Sequence, residues 1–186
     1  MEDEAKDGPG GASARAVDRS DSSLDRGSAD PLTAQWFEAA AAAEPGALGA
    51  LIRLDYEIVN ARDPEGRSAL HVVAGLPAGG VEAAKVLVSA GAPVDGTDAA
   101  ARTALWYAVT TPNREMALFL LEVGAATDGC LHAAVDSGDD DIVRELIECG
   151  ADLEETVEGE TALDHARRLG FEQAAQLIEE ELQRRS

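Results

Sequence analysis

Apolar residues in this chain return at helical spacing in short bursts, and each burst is closed by a glycine or a proline. Recurrence at i, i+3 and i+4 marks one face of a helix. The bursts come in pairs. The first pair is a helix over 33–43 carrying Trp36 and Phe37, then one marked by Leu48, Leu51 and Ile52, with Glu44-Pro45-Gly46 turning the chain between them. The same scheme predicts helices over 68–76 and 81–90, over 103–110 and 114–123, over 130–137 and 139–149, and over 161–169 and 171–183. Their turns are residues 77–80, the break Thr111-Pro112-Asn113, Gly138 and Gly170. The less apolar stretches 55–67, 93–102 and 152–160 are expected to form extended hairpins between pairs. Residues 1–30 hold Gly8-Pro9-Gly10-Gly11, scattered serines and mixed charge, with little to bury. They read as a disordered tail in front of one domain over 31–186.

The pairs also repeat one another. Val86-Leu87-Val88-Ser89-Ala90-Gly91-Ala92 is answered by Phe119-Leu120-Leu121-Glu122-Val123-Gly124-Ala125 and by Leu146-Ile147-Glu148-Cys149-Gly150-Ala151. Gly91 and Gly124 are 33 residues apart. A second marker runs in register with them: Ser68-Ala69-Leu70-His71, Thr103-Ala104-Leu105-Trp106, Gly129-Cys130-Leu131-His132 and Thr161-Ala162-Leu163-Asp164. A Ser or Thr hydroxyl caps the first turn of a helix, and the leucine that follows enters the core. On these residues the chain, from Leu32 onward, resembles the ankyrin-repeat family, whose motif Thr-Pro-Leu-His-x-Ala opens the first helix of a unit of about 33 residues.

The resemblance implies an all-α ankyrin-repeat solenoid of about five helix-turn-helix units with short β-hairpin fingers. It implies a role in protein binding through a concave face of finger tips and first helices, to which Leu76, Trp106, Tyr107, Thr110 and Asp136 map. Trp and Tyr are frequent interface anchors. Trp106 stands at the motif histidine, where packing between units competes with exposure, so Tyr107 is expected to be the more accessible of the two. His71 and His132 hold the motif position itself and are expected to bond loop backbone.

Departures from the motif change the picture locally. Its proline is replaced by Ala69, Ala104, Cys130 and Ala162. Leu105 and Leu131 are only 26 residues apart. The chain over 125–129 therefore has room for a tight loop but not a finger, which predicts a notch in the row. Ala101 stands where the fingers otherwise carry Gly66 and Gly159. Alanine is strained at positive φ, so that hairpin is expected to adjust its turn. Leu118 occupies a place filled elsewhere by Lys85, Arg144 and Gln176, and is expected to point outward.

Composition narrows the partner. Aromatics make up 4% of the chain, which suits small residues packed between close helices. The net charge of -21 repels phosphate backbones and anionic lipid, so neither nucleic acid nor membrane is an expected partner. From Asp136 to Glu160 there are eleven acidic residues and one basic residue, Arg144. Glu154, Glu155 and Glu158 fall on the last finger, where a basic segment of a partner protein is expected to lie. Two cysteines, Cys130 and Cys149, make no disulfide framework, and no apolar run resembles a leader or a membrane span. Cytoplasm or nucleus follows as the expected location.

No chemistry-bearing motif emerges. His71, His132 and His165 lack the spacing of a zinc helix. The run from Asp136 to Asp141 fails as a calcium loop, because its sixth and twelfth places are Asp141 and Ile147. No catalytic residue, cofactor or metal is therefore assigned. The expected function is a non-enzymatic protein–protein interaction module, an adaptor or an occluding inhibitor. The alternative is an acidic chaperone or escort for a basic client. The polar outer faces of the last helix suggest a capped, monomeric stack.

Overall fold

The computed structural model describes residues 30–186 apart from residue 112, and the expected tail lies outside the described residues except for Asp30. Ten α-helices follow in pairs: α1 Pro31–Ala41 and α2 Pro45–Leu54, α3 Ala69–Ala74 and α4 Val81–Ser89, α5 Ala104–Thr110 and α6 Arg114–Glu122, α7 Cys130–Ser137 and α8 Asp140–Glu148, α9 Ala162–Leu169 and α10 Glu172–Arg185. The first helices pack in one row, α1 on α3 on α5 on α7 on α9, and the second helices in a parallel row behind them. The result is the five-unit, two-layer solenoid that the repetition predicts.

Local chemistry sets the helix starts. Thr103 Oγ1 accepts from the Trp106 N–H at 3.2 Å, and Thr161 Oγ1 from the Asp164 N–H at 3.2 Å. Asp139 Oδ1 accepts from the N–H groups of Asp141 and Ile142, both at 3.1 Å, so that carboxylate serves as a helix cap. Asn113 does more. Its Oδ1 caps the Met116 N–H at 3.3 Å, while Nδ2 donates to the carbonyls of Leu76 at 2.8 Å and Gly79 at 3.1 Å in the preceding unit. Between the rows, Leu70, Leu105 and Leu131 are fully buried, and Ala74, Ala108 and Ala134 let neighbouring helices close up. Leu118 is partly exposed and does not join the hydrophobic residues packed on the core.

The fingers depart from expectation. Among the described residues the only strand pair is in the last finger, β1 Thr156–Val157 antiparallel to β2 Glu160–Thr161. Its turn places Glu158 at φ 54 and Gly159 at φ 83, as a two-residue type I′ connection requires. The stretch 55–67 instead begins with a 3₁₀ turn, Tyr56–Asn60, because Asp55 caps the Glu57 N–H at 3.0 Å while Ile58 and Val59 drop into the core. At the tips a single backbone bond joins the two arms, Asp63 N–H to the Arg67 carbonyl and Asp98 N–H to the Arg102 carbonyl, each at 3.0 Å, and the aspartate side chains reinforce it. Asp63 Oδ1 accepts from the N–H groups of Glu65 and Arg67, and Asp98 Oδ1 from those of Ala100 and Arg102.

Ala101 does not change its turn. It takes φ 59, the left-handed conformation of Gly66, because Asp98 pins the chain on both sides of it. That conformation costs an alanine about 1–2 kcal/mol.

The predicted notch is present. Residues 125–129 close in a single turn, with the Cys130 N–H donating to the Thr127 carbonyl at 3.0 Å. Carboxylates from both flanking fingers hold the loop: Asp95 Oδ1 accepts from the Ala126 N–H and Glu155 Oε2 from the Gly129 N–H, each at 2.8 Å.

Candidate functional site

A histidine in the first helix staples two of the fingers, 93–102 and 152–160, to the stack. His71 Nε2–H donates to the Arg102 carbonyl at 3.1 Å, and its Nδ1 accepts from the Ser68 N–H and hydroxyl at 3.1 and 2.8 Å. Burial holds its pKa below the ordinary histidine value, so the ring stays neutral. His132 Nε2–H likewise donates to the Glu160 carbonyl at 2.9 Å. Its Nδ1 has no partner, because Gly129 stands at the N-cap where a hydroxyl would be, and the Gly129 N–H is spent on Glu155.

The third unit carries Trp106 in that place, and the finger its histidine would have stapled is the one that is missing. The two departures from the repeat explain each other. With no finger to hold, the position is released to line the gap. An open cleft of ≈ 500 Å³ occupies that gap, lined by Trp106, Thr110, His132, Asp136 and Glu158 among others. The Arg102 guanidinium lies over the indole, 4.5 Å from the ring centroid.

Four of the residues chosen from the sequence, Trp106, Thr110, Asp136 and Glu158, thus meet in one place. The other four do not. Tyr107 is no freer than Trp106, contrary to expectation: its hydroxyl donates to Asp98 Oδ2 at 2.7 Å and its ring packs edge-on against His71 and Trp106. Leu76 is half-buried in the turn that Asn113 holds. Glu155 is half-buried on the Gly129 amide, and Glu154 is exposed outside the cleft. Sequence reasoning missed Arg102, Asp128 and His132 as cleft residues. The coincidence of a tryptophan in the motif place with a shortened finger was the available signal.

Behind the cleft, Asp136 enters a charged cluster. His165 Nε2 meets Asp136 Oδ1 at 2.6 Å, and Nδ1 lies 3.1 Å from Glu160 Oε2 and 2.6 Å from an Arg168 nitrogen. Nδ1 cannot donate to Glu160 and accept from Arg168 at once, so protonation decides between them. The bond to Asp136 raises the His165 pKa, while Arg168 and His165 lower that of Glu160 to about 2. A histidine raised in the folded state contributes stability that is complete below about 6.5 and lost as pH climbs through its folded value. The lowered Glu160 contributes stability above its ordinary range that is lost as pH falls toward about 2. The coupling between Asp136→Asn and His165→Gln, measured by urea denaturation, is therefore expected to be larger at pH 6 than at pH 8.5. A coupling equal at both would remove the ion pair from the account.

Cys130 is buried, which pushes its thiol up to about 12 and leaves it unreactive. No group of three or more potential metal ligands occurs among the described residues.

Comparison with known proteins agrees with the fold. A family model described as ankyrin repeats (3 copies) matches residues 37–129, and an ankyrin repeat model matches residues 127–156. No curated protein matches the chain.

Proposed function

Because the chain belongs to the ankyrin-repeat family, whose stacks are generally non-enzymatic protein–protein interaction modules, we propose that it binds a partner protein along its concave flank. Finger tips and first helices form that flank, and repeat stacks use the extended surface it makes. The observation that carries the reading is Trp106. It stands where its neighbours carry a buried staple, and it lines the gap that the missing finger opens. An aromatic in a partly enclosed cleft, ringed by polar groups, has the character of an interface anchor.

The partner presents a basic segment, and the stack acts as a monomer in the cytoplasm or nucleus, as adaptor or occluding inhibitor. Glu154 and Glu158 are exposed beside the gap and steer such a segment toward it. Glu155 contributes less, because the Gly129 amide already holds it.

Affinity capture from lysate of the source cells tests this. Trp106→Ala is expected to lower recovery of the captured protein at least about tenfold. Full recovery by that variant would move the site off the cleft. Glu154→Lys with Glu158→Lys is expected to slow association at low salt and to change it little at high salt. An acidic escort would behave otherwise, since several unrelated basic proteins would bind and all would be released by salt.

A further inference from the structure

The cleft at the notch brings carboxylates and apolar surface together. Asp128, Asp136 and Glu158 stand around it against a single cation, Arg102. Among the described residues no ion pair reaches Asp128 or Glu158, and Asp136 commits only Oδ1, to His165. The walls between the carboxylates are apolar: Trp106, Ala133 and Val157. His132, only 6% exposed, completes the lining and keeps Nδ1 without a partner. The cleft therefore offers unneutralised carboxylates and apolar walls within one open volume.

We propose that this cleft seats one arginine side chain of the partner's extended segment. The proposal rests on the protein-binding reading above and deepens it. A guanidinium is planar and weakly hydrated, with apolar faces and donors around its edge. Its faces fit the indole and aliphatic walls, and its edge meets the carboxylates. Arg102, stacked 4.5 Å from the Trp106 ring centroid, shows the chemistry the indole accepts within the chain itself. A lysine ammonium finds the same charge but no stacking surface for its head. An acidic or neutral side chain meets repulsion or nothing at the rim. The place is set by topology: intact fingers precede and follow the gap, so only here is the face of a first helix uncovered between them.

Nuclear magnetic resonance on the full chain, titrated with the capped peptide Gly-Ala-Arg-Ala-Gly, tests the assignment. Saturating shifts are expected at the Trp106 indole N–H and the Gly129 amide. Trp36, fully buried in the first unit, is expected not to move. Glutamine in place of the arginine is expected to abolish the shifts, and lysine to weaken binding several-fold. Asp128→Asn with Glu158→Gln is expected to weaken the arginine peptide at least about fivefold. Both side chains are exposed and without ion pairs among the described residues, so the fold is not threatened. The remote pair Glu148→Gln with Glu172→Gln removes equal charge and is expected to cost less than about twofold.

Equal binding of the glutamine or lysine peptide would overturn the assignment. So would equal losses from the two double variants, or the absence of a saturable shift at Trp106. If the peptide fails while Trp106→Ala still loses the captured partner, the arginine seat falls and the protein-binding reading stands. If the partner is retained by Trp106→Ala, the concave reading falls as well.

Discussion

Replacing Asn113 with alanine is expected to destabilise the stack by about 2–4 kcal/mol. The side chain is 2% exposed and serves two units at once. Its oxygen caps the start of α6, and loss of such a cap costs about 1 kcal/mol. Its amide group donates to two carbonyls in the turn between α3 and α4, and each lost hydrogen bond costs about another 0.5–1.5 kcal/mol. Asn113→Asp separates the two roles. The aspartate keeps the cap but turns an oxygen toward two carbonyl oxygens, so it is expected to be at least as unstable as the alanine variant. Urea denaturation followed by far-UV circular dichroism reads both. A loss below about 1 kcal/mol for alanine would mean that the turn has other support.

Asn113 also shows where sequence reading ran short. It stood in the break Thr111-Pro112-Asn113 and was read as an interruption between helices, because a pattern of apolar positions registers only that the helix stops. The pattern does not report that a polar side chain at the break reaches into the preceding unit. Helix pairs, their order and the notch were legible, since each depends on spacing within about one unit of 33 residues. The fingers were less so. Asp55, Asp63 and Asp98 bend their stretches by capping backbone N–H groups a few residues on, which competes with strand pairing. Ala101 was misjudged for the same reason: a turn clamped by Asp98 tolerates a strained alanine rather than reshaping.

The candidate site was half legible on the same grounds. Trp106, Thr110, Asp136 and Glu158 were placed by register alone. Tyr107 and Glu155 were not, because register does not reveal that a hydroxyl is spent on Asp98 or a carboxylate on a loop amide. Arg185 behaves similarly. Its position at the end of α10 does not reveal that its guanidinium donates to the Ala151 and Ile147 carbonyls, closing the end of α8 from the next unit.

The four marker leucines look equivalent in sequence, and the structure predicts that they are not. Leu105→Ala is expected to cost about 3–5 kcal/mol and Leu163→Ala about 1–2 kcal/mol. Leu105 is fully buried on α5, which packs on α3 before it and α7 behind it. Leu163 sits only half-buried on α9, in the last unit of the stack. A solenoid's stability approximates a sum of unit terms and nearest-neighbour interfaces, so a cavity in the middle weakens two interfaces and one at the end weakens one. Against a total of about 5–15 kcal/mol, the central loss is a large share. Amide hydrogen exchange distinguishes the cases by place as well as size. Leu105→Ala is expected to accelerate exchange in α3, α5 and α7 together, and Leu163→Ala in α9 and α10 while the first three units keep their protection. Equal costs for the two, or exchange that rises uniformly along the chain in both, would mean that the stack unfolds as a single cooperative body, and the interface at the notch would then be as strong as those beneath the intact fingers.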